Sequence, residues 1–92
     1  MLCWRDDLYI GPMIADRKDE IIRRISDGEG IRGIFLITLP VNERNQLEII
    51  EAVYLAQAAV FRRTPMIVGL ALSKQEAVAI VQQITEEALK MR

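Results

Sequence analysis

At 92 residues the chain has room for a single domain, and 51% hydrophobic residues mixed with charges of both signs exclude a disordered or low-complexity segment. A net charge of -1 and a pI of about 5.4 argue against nucleic acid or an anionic membrane as obligatory partners, because both need a basic surface. The absence of histidine removes His-based catalytic triads, phosphohistidine carriers and most zinc sites.

The lone cysteine, Cys3, has no internal disulfide partner and reads as a half-buried N-terminal residue. Residues 1–7 leave no space for the apolar region of a signal peptide, so cytoplasmic residence is expected. The longest apolar stretch, residues 52–61 interrupted by Gln57, is too short to span a bilayer.

In chain order, residues 8–10 predict a short first strand, starting as early as Trp4 and ended by Gly11-Pro12. Asp16 then suits a helix N-cap. Ile21, Ile22 and Ile25 follow at helical spacing, with Arg23 and Arg24 in the last turn and Gly28 as the stop. Asp19/Arg23 and Glu20/Arg24 stand four apart in the favourable acid-first order, which reads as a solvated helix face. Residues 33–39 are apolar on both faces of a pleat and rich in β-branched and aromatic side chains, so they predict a strand with layers on both sides, stopped by Pro40.

Asn42 and Glu43 suit the start of a second helix running to about Arg62-Arg63, where Thr64-Pro65 breaks it. Residues 66–72 predict another strand apolar on both faces. Ser73 with Glu76 three residues on forms a capping box for the last helix, whose inner side carries Ala77, Val78, Val81, Ile84, Ala88 and Leu89.

The expected fold is therefore one α/β domain over residues 1–92, a β-α-β-α-β-α unit with a parallel three-stranded sheet. Strand order 2-1-3 is preferred, because it places the crossovers on opposite faces, with 1-2-3 as the alternative. The resemblance to flavodoxin-like and half-Rossmann units lies in element order alone, and such likeness carries no function.

Between Ile49 and Phe61 only Glu51 and Gln57 are polar, so the expected second helix is apolar all round. A homodimer would cover it, with Ala52, Ala56 and Ala59 allowing close approach and Tyr54 or Leu55 as anchors.

Motifs that suggest chemistry are few. Residues 28–33 match G-x-G-x-x-G, yet the stretch leaves a helix and enters a strand, the reverse of a dinucleotide-binding loop. Its glycines read as a helix C-cap and a tight turn. Gly30-Ile31-Arg32-Gly33 also spells a KH-type G-x-x-G, but that loop must join two helices. No P-loop pattern is present, and Asp6 and Asp7 precede the first strand, at the wrong edge of the sheet for a phosphoacceptor. No cofactor and no metal site is expected, and enzymatic activity is disfavoured. What remains is an anion site at the carboxyl edge of the sheet, built from Asp16, Asn42, Arg44, Asn45, Ser73 and Lys74, although capping alone explains Asp16, Asn42 and Ser73. The sequence thus predicts a homodimeric module acting through protein association or a small anionic ligand, the rival being a small enzyme or nucleotide-binding subunit with a site shared across the dimer.

Overall fold

Ile67-Val68-Gly69-Leu70-Ala71 has no polar side chain, and all five residues are buried in the computed structural model, which describes residues 2–40 and 47–90. In chain order the described elements are β1 (Trp4–Ile10), a 3₁₀ turn (Ala15–Arg17), α1 (Lys18–Ser26), β2 (Phe35–Thr38), β3 (Glu48–Glu51), a second 3₁₀ turn (Ala52–Ala56), α2 (Ala58–Arg63), β4 (Ile67–Ala71) and α3 (Lys74–Lys90). The strands form one sheet in the order β1-β4-β2-β3. β1 runs parallel to β4, whereas β2 is antiparallel to both β4 and β3.

The molecule is therefore a small α+β fold with a mixed sheet. The expected parallel three-stranded unit, in either strand order, is incorrect for two local reasons. First, α1 is only nine residues long, and the chain turns at Gly28 (φ 89°) and Gly33 (φ 80°). It therefore enters β2 at the end of the sheet where it left β1: Ile10 pairs with Leu70 and Phe35 with the adjoining Ala71. Second, the region read as one long helix contains a strand, a 3₁₀ turn and a six-residue helix.

β3 owes its strand character to a period of two. Leu47 and Ile49 pack with the residues facing α3, while Glu48 and Ile50 face the other way. The 3₁₀ turn that follows repeats every three residues, which puts Ala52 and Leu55 on one inward side, both fully buried. Two different periods in succession gave the stretch its all-round apolar pattern.

Both sheet faces are covered. On one, Leu36, Ile67 and Leu70 pack with Ile21 and Ile25 of α1 and with Leu55. On the other, Ile37, Val68 and Ala71 pack with Ala77 and Ile80 of α3. α1 ends as its sequence predicts, in a Schellman cap: the Gly28 N–H donates to the Ile25 carbonyl at 2.9 Å and the Glu29 N–H to the Arg24 carbonyl at 3.1 Å. Arg24 and Glu29 add an ion pair across the same turn, 3.0 Å apart, and the Trp4 indole N–H ties β1 to Ser26 Oγ at 3.0 Å. Gly30 fits beneath the second 3₁₀ turn, where a Cβ would lie 2.6 Å from the Val53 carbonyl oxygen. Among the described residues no helix is long and apolar enough to cross a membrane.

Gly69 measures how tightly the α3 face is packed. A Cβ there would stand 3.0 Å from Ile37 Cδ1 and 3.1 Å from Ile80 Cγ2. Overpacking of this kind costs about 1–3 kcal/mol, against roughly 0.4–1 kcal/mol gained by stiffening the unfolded chain. Gly69→Ala is therefore expected to lower stability by about 1 kcal/mol or more. Urea denaturation checks this as a lower midpoint with an unchanged slope.

Candidate functional site

Reversing β2 separates the residues that a parallel sheet would have gathered. Ser73 and Lys74 follow the carboxyl end of β4, beside Gly11 at the end of β1. Leu39 and Leu47, which flank the segment carrying Asn42, Arg44 and Asn45, lie at the opposite end, where the Leu39 N–H donates to the Met66 carbonyl at 2.9 Å. Asn42, Arg44 and Asn45 themselves lie outside the described residues.

At the first end, the polar groups are occupied with ending strands and starting α3. The Glu76 N–H donates to Ser73 Oγ at 3.1 Å, and Glu76 Oε1 accepts from the Leu72 N–H at 2.8 Å, which completes a capping arrangement. Gly11 makes room for that carboxylate, since a Cβ at position 11 would fall 1.9 Å from Glu76 Oε1. Lys74 lines only a shallow depression of about 330 Å³ with Gln75 and Val78. Asp16 is exposed within the first 3₁₀ turn and makes no side-chain cap.

A larger open groove, about 480 Å³, lies against β3 and is lined by Glu48, Ile50, Val60, Arg63, Thr64 and Pro65. Its volume is that of a small-ligand pocket, but two of its polar groups are engaged locally. Arg63 Nε donates to the Ala59 carbonyl at 3.1 Å and Thr64 Oγ1 to the Val60 carbonyl at 2.7 Å, so both finish the short helix α2. What the groove offers is chiefly the apolar surface of Ile50, Val60 and Pro65. Thr38, the direct cross-strand neighbour of Glu48, shares its face of the sheet and is fully buried. Its hydroxyl has no hydrogen-bond partner among the described residues.

The residues assigned to a helix-pairing interface divide. Ala52 and Leu55 are turned into the chain's own core, which removes them from any outer surface of the folded chain, while Tyr54, Ala56 and Ala59 are exposed. Cys3 is exposed rather than half-buried. Sequence reasoning missed the groove altogether. Its one available signal was the pair of β-branched residues Ile49-Ile50 between two glutamates, shortly before a Thr-Pro break.

On the opposite sheet face the Tyr9 hydroxyl donates to Glu87 Oε2, joining β1 to the last turns of α3, with the Arg5 guanidinium 6.0 Å from the ring centroid. This hydrogen bond to Glu87 is the main cause raising the Tyr9 pKa above its ordinary value. Among the described residues no cluster of three or more His, Cys, Asp or Glu side chains could hold a metal ion. Comparison of the chain with protein-family models, curated proteins and solved structures finds no match to any of them.

Two outcomes follow from these buried and paired hydroxyls. Thr38→Val removes a buried donor without changing shape and is expected to raise stability by about 1 kcal/mol in chemical denaturation. Because the folded chain holds the Tyr9 proton more tightly than the unfolded chain does, this pairing contributes fully below the unfolded tyrosine pKa of about 10 and is lost as pH rises through the higher folded value. In a Tyr54→Phe background, where Tyr9 is the sole tyrosine, tyrosinate absorbance should rise at a pH above that of free tyrosine. Glu87→Ala should bring the midpoint back down.

Proposed function

We propose that this chain is a small homodimeric module that acts through protein association. The observation behind the reading is apolar surface left open in the groove and near one end of the sheet. Ile50, Val60 and Pro65 line the groove; Met66, next in sequence to Pro65, is 40% exposed, and so is Leu39, which is hydrogen-bonded to it. A single exposed apolar residue needs no explanation, whereas several of them together with an open apolar groove support an interaction surface. Anion binding is the weaker alternative, because Ser73 and Glu76 are committed to capping and Lys74 faces only a shallow depression.

Association also suits the size of the chain. A domain this small buries only about 60–65% of its unfolded surface, so a partner adds to a modest margin. Cytoplasmic residence belongs to the same proposal, and the exposed Cys3 thiol fits a reducing compartment.

Sedimentation equilibrium on the full chain is expected to show a dimer at micromolar concentration. Leu39→Lys/Met66→Lys changes two residues that contribute nothing to the fully buried core. It should leave the circular dichroism spectrum intact and shift the equilibrium toward monomer by at least tenfold. A monomeric wild type over the same range would refute the reading.

A further inference from the structure

β3 is the outer strand of the sheet, and its backbone alternation shows what it presents outward. The Ala52 N–H donates to the Ile34 carbonyl at 2.7 Å, extending the ladder with β2 by one step. From Ala52 the hydrogen-bonded positions alternate to Ile50 and Glu48, opposite Leu36 and Thr38. The N–H and C=O groups of Ile49 and the N–H of Glu51 therefore face away from the sheet with no partner among the described residues, while the Glu51 C=O starts the 3₁₀ turn that follows.

The other edge of the sheet is protected. β1 carries Arg5, Asp6 and Asp7, all exposed, and its register with β4 jumps from Trp4↔Ile67 to Tyr9↔Gly69, so an irregular, charged segment occupies that edge. β3 has a regular register and two isoleucines at its centre.

We propose that β3 pairs antiparallel with β3 of a second copy, about a two-fold axis through Ile49, joining the two sheets into one. This rests on the homodimer reading above and names its surface. The register chooses a second copy as the occupant. Pairing the outward-facing positions about Ile49 sets Ile49 against its own mate, Glu48 against the second copy's Ile50, and Leu47 against the second copy's Glu51. Each glutamate thus meets an apolar residue and no carboxylate lies directly opposite another. The groove at Ile50 then adjoins the dyad, so the apolar surface around it continues across the contact. The one unfavourable pair is Glu48 with its mate, diagonal neighbours about 7–8 Å apart.

Three measurements test this. Cys3→Ser/Ile49→Cys should form a cross-linked dimer on mild oxidation, because Cα atoms of a hydrogen-bonded antiparallel pair stand about 5.5 Å apart, inside the roughly 4.4–6.8 Å a disulfide spans. Cys3→Ser/Ile50→Cys should not, since that position meets its mate only on the diagonal. In the unmodified chain, amide exchange at Ile49 and Glu51 should slow as concentration rises through the dimerisation range, and Glu48→Gln should tighten the dimer severalfold at low salt. A dimer by sedimentation with no cross-link at position 49 and no concentration-dependent protection would overturn β3 pairing and leave the homodimer reading standing. A monomer throughout would overturn both.

Discussion

The fold depends on the burial of β4 and β2 on both faces. Ile67, Val68, Leu70 and Ala71 in one strand, with Leu36, Ile37 and Thr38 in the other, show essentially nothing to solvent. Such a pair can exist only between two layers. α3 supplies one layer alone, with seventeen residues starting directly after β4. The other is a composite of α1, the second 3₁₀ turn and α2, drawn from two separate connections. The composite layer explains the fragmentation of residues 48–63: a short edge strand, a turn inserting Ala52 and Leu55, and a helix just long enough to return the chain to the start of β4.

The parts of this arrangement carried by local signals were legible in the sequence. β-branched runs marked β2 and β4, Ser73 and Glu76 marked the start of α3, and Gly28 marked the end of α1. Strand direction is not a local property. Two-sided apolarity at residues 34–37 and 67–71 says that both faces are covered, and a mixed sheet between two layers produces it as readily as a parallel one. The decisive information was in the brevity of α1 and the positive φ at Gly28 and Gly33, which turn the chain back to the same end of the sheet. Residues 49–61 were obscure for another reason: a short apolar strand and a buried helix look alike over a few residues.

The candidate site inherited that error of direction. Ser73, Lys74 and Asp16 were grouped with residues following β2 only because all strands were taken to point one way. With β2 reversed, those residues and the flanks of residues 41–46 stand at opposite ends of the sheet. The groove could not be read in advance, because its lining comes from β3, α2 and the Thr64-Pro65 break, which are brought together by the antiparallel pairing of β2 and β3.

The same topology accounts for the unequal edges. The layers that bury β2 and β4 employ every described helix on the faces of the sheet, leaving none to cover an edge. An uncovered edge strand tends to pair with another strand unless charge, proline or irregularity prevents it. β1 has charge and irregularity, in Arg5-Asp6-Asp7 and its broken register with β4. β3 has neither proline nor a bulge, and its two glutamates flank an apolar centre without interrupting it. Glu51 is also held toward its own chain, where Oε2 accepts from the Gly33 N–H at 3.4 Å, leaving Glu48 as the charge that guards the edge. A single glutamate at one end restricts which register a partner can adopt, without closing the strand to pairing.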